Sequence, residues 1–244
     1  MLETLAGSGF GILLLGLMIG MQHALEADHV AAVSSIAARQ SSIRKIVTHG
    51  AVWGIGHTVT LMLVAGSIIG FGFVLNDTLA SWLELIVGVM LIGLGGNLVY
   101  LLIKERVHFH RHRHDDGIRH FHAHSHRDET APHNPDAHAH AHSHKLPVRT
   151  LLVGMMHGMA GSAALVVLTA ATVHSVPLGL GYVVLFGIGS IFGMAALSAL
   201  IAVPLTWSAK ALTWANSGLQ GAIGLATVIL GVAVAMKSAG ALGV

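Results

Sequence analysis

Within GMQHALEADHVAAV, residues 20–33, His23, Glu26, Asp28 and His29 place two imidazoles and two carboxyl groups on barely two turns of chain. The chain has no cysteine, so any metal chemistry must use nitrogen and oxygen donors, and disulfide or thiolate chemistry is excluded. Imidazole with carboxylate suits borderline divalent ions such as nickel, cobalt, zinc or copper, whereas magnesium and calcium favour all-oxygen shells. Everything around the four residues is apolar. A carboxylate buried in hydrocarbon costs several kcal/mol unless it is paired or coordinates a cation, so these positions read as a functional site. His57 in GIGHTVTLML and His157 in GMMHGMAGS are the further candidates.

The elements that position these groups are membrane spans. Of 244 residues, 54% are hydrophobic and 10% charged, and the mean hydropathy is +0.73, which describes a polytopic membrane protein and not a soluble domain. Six apolar segments reach the roughly 20 residues a crossing needs: Leu5 to Ala38, Ile46 to Leu75, Leu79 to Ile103, Leu146 to Val173, Leu178 to Leu205 and Leu212 to Met236. The expected fold is all-α, with residues 1–103 and 146–244 as two membrane units separated by a loop at 104–145. The first segment is too long: as one helix it would measure roughly 51 Å against a hydrocarbon core of about 30 Å, so it must protrude, tilt or break. Its length also argues against a cleavable signal peptide.

Positive charge sets the orientation. Arg39, Arg44 and Lys45, then Lys104, Arg106 and Arg149, then Lys210 fall on alternate loops, which places these loops in the cytoplasm and both termini outside the plasma membrane. Lys and Arg beside apolar segments act as topology signals, so the formal net charge of +2 implies no nucleic-acid partner.

An internal repeat relates the two units. GMQHALEAD at Gly20 aligns with GMMHGMAGS at Gly154, bringing His23 onto His157. GIGHTVTLML at Gly54 aligns with GIGSIFGMAA at Gly187, bringing His57 onto Ser190, and Glu84 meets Gln220. Three crossings per unit make the second enter with opposite polarity, so two inverted three-helix repeats are expected, with the substrate site where the halves meet near the midplane. Depth agrees: Asp28 and His29 lie roughly 15 Å in from Arg39, and His57 roughly 17 Å in from Ile46. On a regular helix His23, Glu26 and His29 share an arc of about 120°, while Asp28 points about 100° away from His29. Either the helix unwinds locally, the favoured alternative, or Asp28 works from behind a histidine by accepting its spare proton.

Between Lys104 and Lys145 stand 13 of the 19 histidines, many in alternating tracts such as HFHRHRH and HAHAHSH. This composition predicts a disordered metal buffer. His49 and His174 are expected at interfaces, Trp53, Trp82, Trp207 and Trp214 as belt or packing residues, and Asn97 and Glu84 as weaker pore candidates.

HALEADH, with H-x4-D-H at His23, Asp28 and His29, resembles the signature of the nickel/cobalt transporter superfamily, in which an aspartate stands at the place of Glu26; GHT at Gly56 to Thr58 is similar to that superfamily's G-H-[ST] element. The likeness is nearest to its urease-accessory and nickel/cobalt efflux types. It implies that His23, Asp28, His29 and His57 contact the metal. The second half departs from the permeases, offering Ser162 and Ser190 where they carry acids.

The expected activity is secondary transport, with uptake chosen over efflux, of Ni2+ or Co2+, with Zn2+ also compatible, through His23, Glu26, Asp28, His29, His57 and His157. The ion is cargo; no resident cofactor and no enzymatic activity are expected, H-E-x-x-H and a nucleotide-binding loop being absent from the sequence. Partners expected are the ion, the bilayer and a metal-delivery or urease/hydrogenase maturation protein. Competing readings are a membrane-anchored metal-binding accessory protein and a haem carrier ligated by His23 and His57.

Overall fold

In the computed structural model the described residues are 9–40, 42–71, 76–105, 109–113, 119–123, 147–159, 175–211 and 213–243. They form α1 (Gly9–His23), α2 (Ala27–Ala37), α3 (Ile43–Phe71), α4 (Asp77–Glu105), strands β1 (Phe109–Arg113) and β2 (Arg119–Ala123), α5 (Val148–Gly158), α6 (Val176–Ala211) and α7 (Thr213–Leu242). Four helices are long and apolar enough to cross a membrane, α3, α4, α6 and α7. The overlong first segment resolves by breaking: α1 and α2 meet at 56°, and counted as one bent span they make a fifth. Of the fourth expected segment only α5 is described, the remainder, with Ser162 and His174, lying outside the described residues. The protein is thus a multi-pass, essentially helical membrane protein.

In lipid no hydrophobic force drives helices together, so close packing across small residues must do it. α3 and α6 run antiparallel, Gly50 against Ser198, Gly54 against Ile191 and Met194, and Gly187 against Thr58. α4 and α7 do the same, with a methyl on Gly88 meeting Ala235 and Gly231 and one on Gly95 meeting Gly224 and Val228. α1 lies parallel to α6, where Gly20 abuts the Phe186 carbonyl and Gly189 abuts Leu17 and Met21. α5 lies parallel to α3, where Gly154 abuts the Trp53 carbonyl and Gly56 abuts Leu151 and Met155. The last two pairs are the same contact made twice, because Gly20 aligns with Gly154 and Trp53 with Phe186 in the sequence repeat. α2 crosses to α7, where Ser35 Oγ lies 2.8 Å from Thr227 Oγ1.

Within the His-rich loop, ten residues form strands. β1 and β2 pair antiparallel, with His110 opposite His122 and His112 opposite His120. The x-H-x-H alternation has a period of two, which is that of a strand. The HAHAHSH tract lies outside the described residues.

Gly154 tests the helix approach. Gly154→Val must push α5 off the Trp53 carbonyl, so a destabilisation of about 1–3 kcal/mol is expected, visible as a lower melting temperature in detergent. Gly66→Ala, which meets nothing within 4 Å, should melt like the parent.

Candidate metal centre

The break in the first span creates the site. α1 ends at His23, and two turn hydrogen bonds follow, from the backbone N–H of Leu25 to Gln22 O and from that of Glu26 to His23 O. Glu26 is extended (φ −63°, ψ 147°), and the chain then re-enters a helix. Asp28 sits in the first turn of α2, where the exposed N–H groups and helix dipole favour an anion, and its Oδ1 accepts the His29 backbone N–H at 2.9 Å. The 56° bend does what a regular helix cannot, bringing the His23 and His29 ring centres to 4.3 Å.

Two other elements complete the cluster. His57 of α3 stands 5.3 Å from His23 and 5.1 Å from His29, centre to centre. His157 of α5 stands 4.4 Å from His29 and 5.9 Å from His57. All four rings are buried. Their approach follows from the glycine contacts, since Gly158 abuts the His57 carbonyl itself.

The carboxylates decide which nitrogens are left over. A carboxylate only accepts, so an imidazole nitrogen bound to one must carry the hydrogen. His23 Nδ1 donates to Glu26 Oε1 at 2.7 Å. His29 Nδ1 donates to Asp28 Oδ1 at 2.9 Å, and His157 Nε2 donates to Asp28 Oδ2 at 3.0 Å. The opposite nitrogens, His23 Nε2, His29 Nε2 and His157 Nδ1, are buried and have no hydrogen-bond partner, and neither has either nitrogen of His57. An unmet buried polar group costs about 1–3 kcal/mol, and here five such nitrogens sit on four neighbouring rings. A neutral imidazole whose N–H is held by a carboxylate presents a basic lone pair in a set direction, the arrangement that orients metal-binding histidines.

Two donor groups emerge, each with ligand atoms within 4.8 Å of one another: His23, His29 and His57; and Asp28, His29 and His157. Tetrahedral donors around bonds of roughly 2.0–2.1 Å lie about 3.4 Å apart, so a small inward movement of side chains would close either group on an ion. His29 belongs to both.

Five of the six candidate residues therefore fall into these donor groups, and Glu26, its side chain half exposed, stands outside them as the partner of His23. Both sequence alternatives for Asp28 hold at once, because the helix breaks and the carboxylate also supports two histidines. Glu84 does not reach the cluster; it accepts a hydrogen bond from Ser238 Oγ at 3.3 Å. Trp82 and Trp207 are exposed on the outside, but Trp53 is fully buried and packs against His29, His57 and His157. Phe186 packs against His23. Of the belt and packing readings, packing holds for Trp53, and what it packs against is the cluster one turn on along the same face. His49, in the second turn of α3, has its Nδ1 2.7 Å from Thr150 Oγ1 near the start of α5. Asp28→Asn keeps the shape but replaces one acceptor oxygen with a donor, so one imidazole loses its support. Nickel titrated calorimetrically into purified protein should bind about 10–100-fold more weakly; unchanged affinity would show that Asp28 orders no ligand.

No family model matches the chain, and no solved structure does. The urease accessory protein UreH of Bacillus sp. (strain TB-90) is 33% identical over 210 residues, covering 86% of this chain and 84% of UreH. An alignment of that length takes in both membrane units, whichever way the ends are trimmed, so the likeness extends well beyond the short histidine motifs. The chain belongs to the family of the urease accessory protein UreH.

Proposed function

We propose that the protein is a secondary transporter of divalent transition-metal ions, nickel and cobalt before zinc, working in the direction of uptake. The observation that carries this reading is the set of buried imidazole nitrogens with no protein partner, on four neighbouring rings supplied by α1, α2, α3 and α5. His23, His29, His57 and His157 bind the ion, Asp28 and Glu26 hold the rings and balance its charge, and Asp28 enters the second donor group directly. The ion is cargo, exchanging water for imidazole and carboxylate as the site opens to alternate sides.

The architecture proposed for this is six crossings in two inverted three-helix repeats, residues 1–103 and 146–244, flanking the loop at 104–145. The duplicated α1–α6 and α5–α3 contacts support it, as do the antiparallel α3–α6 and α4–α7 pairs, each of which brings together equivalent helices of the two units. The positive residues on alternate loops support a plasma-membrane protein with both termini outside and the His-rich loop in the cytoplasm, where the loop buffers ions. The relative's designation as a urease accessory protein supports a metal-delivery or maturation protein as the cytoplasmic partner.

Nickel flux into proteoliposomes tests the site. His29→Ala removes the residue shared by both donor groups and should abolish flux, whereas deletion of residues 108–144 should only modulate it. If the deletion stops flux and His29→Ala leaves it intact, the membrane part is merely an anchor for the loop. Cells carrying the protein should accumulate more nickel and cobalt than cells without it; a fall would assign efflux.

A further inference from the structure

The two large aromatic residues that touch the histidine cluster occupy equivalent positions in the two halves. Trp53 precedes GIGH and Phe186 precedes GIGS, each with its carbonyl against a glycine of the parallel neighbouring helix, Gly154 and Gly20 respectively. Both are buried, Trp53 at 0% and Phe186 at 2% exposure. Because α3 and α6 are antiparallel, the two lie on opposite sides of the cluster along the membrane normal. Trp53 is one turn from His57 toward the Ile43 end of α3, and Phe186 faces the Phe71 end, among Leu61 and Ala65. Trp53 covers His29, His57 and His157 at 5.4, 5.9 and 5.1 Å between centres, and Phe186 covers His23 at 5.2 Å.

What lies behind each ring differs. Behind Phe186 the packing is continuous, with Tyr182, Val183, Leu61 and Ala65 all buried. Behind Trp53 there is a narrow crevice, lined by Ala37, Ile46, His49, Gly50 and Ser198, with no room for a water molecule. Two of the residues lining it carry polar atoms with no partner, the Trp53 indole nitrogen and Ser198 Oγ, both buried. An indole N–H without an acceptor and a hydroxyl without a partner are costly in a sealed protein interior and are satisfied once water enters. Gly50 leaves the space, since a methyl there would strike Ser198 Oγ. His49, Trp53 and His57 follow one another at one-turn intervals on α3, a row of polar-tipped rings from the crevice mouth to the cluster.

We propose that Trp53 and Phe186 are the two gates of the ion path, Trp53 closing the Ile43 side and Phe186 the Phe71 side, with the crevice behind Trp53 as the closed path on that side and His49 as its outermost ligand. This rests on the transporter reading above. Movement of the Trp53 indole toward the crevice uncovers three histidines at once and gives its N–H a water partner. Movement of Phe186 must first part a packed apolar layer. In this conformation both rings cover the histidines, with the thicker apolar layer behind Phe186.

The absence of native cysteine allows a direct test with a single reporter thiol. Ser190→Cys is nearly isosteric, sits one turn beyond Phe186 on α6 and is fully buried beside Gly20. A membrane-impermeant cationic methanethiosulfonate is applied to either face of oriented vesicles holding the full chain. Adding Trp53→Ala should raise the labelling rate from the Ile43 face by about tenfold, as when an opened state leaves the per-cent range, and leave the Phe71 face unchanged. Phe186→Ala should do the reverse. Trp53→Leu and Phe186→Leu, which keep more bulk, should show the same sidedness more weakly and serve if an alanine variant fails to elute as a single species. Opening to the same face by both truncations, or no change in either, overturns the gates. Nickel binding to each variant in detergent is measured alongside: absence of binding in the parent sinks the metal site, and labelling sidedness still decides the gates.

Discussion

An imidazole has two nitrogens, and in a membrane interior neither can be left to water. That constraint governs the centre of this protein. Asp28 takes one N–H from His29 and one from His157, and Glu26 takes one from His23, so three rings are held with their other nitrogen buried and unmet. Without the carboxylates the rings could exchange tautomers and turn toward backbone carbonyls, and no common focus would survive. The break between α1 and α2 follows from the same demand, since only a bent chain lets His23, Asp28 and His29 serve one place.

The rest of the packing holds that focus still. Apolar helices in lipid gain little by exchanging lipid contacts for protein contacts, so precision comes from how closely backbones approach. α5 is set against α3 by Gly154 on the Trp53 carbonyl and Gly158 on the His57 carbonyl, which fixes His157 relative to His57 through main chain and not through flexible side chains. α1 is set against α6 by Gly20 and Gly189 in the same way, which fixes His23 at the helix end. A ligand's position is thereby determined by the backbone of the helix beside it.

Much of this was legible in the sequence because it depends on local spacing. The excess length of the first segment and the clash of facing between Asp28 and His29 together favoured a break near HALEADH, and one is there. His157 was found only through its alignment with His23, an argument from repetition and not from motif. Trp53 and Phe186 escaped because a buried aromatic and a lipid-facing one look the same along the chain; what separates them is a partner more than a hundred residues away, Gly154 for one and Gly20 for the other. The companion of His49 was hidden for the same reason, Thr150 being on another helix. The strand pairing within the His-rich segment escaped because composition was weighed there and the period-two alternation was not. The glycines were visible, but which of them meets a carbonyl and which, like Gly66, meets nothing is a property of the assembled bundle.

Charge argues for the class of ion on the proposed function. The cluster pairs its four neutral-capable rings with two carboxylates, Glu26 and Asp28. A divalent cation brings the sum to zero, and a neutral assembly is what a low-dielectric interior tolerates best. A monovalent ion would leave the assembly net negative, and a trivalent ion net positive. Ligand softness then narrows the divalent ions: a site whose free donors are mostly imidazole nitrogen discards magnesium and calcium and keeps nickel, cobalt and zinc.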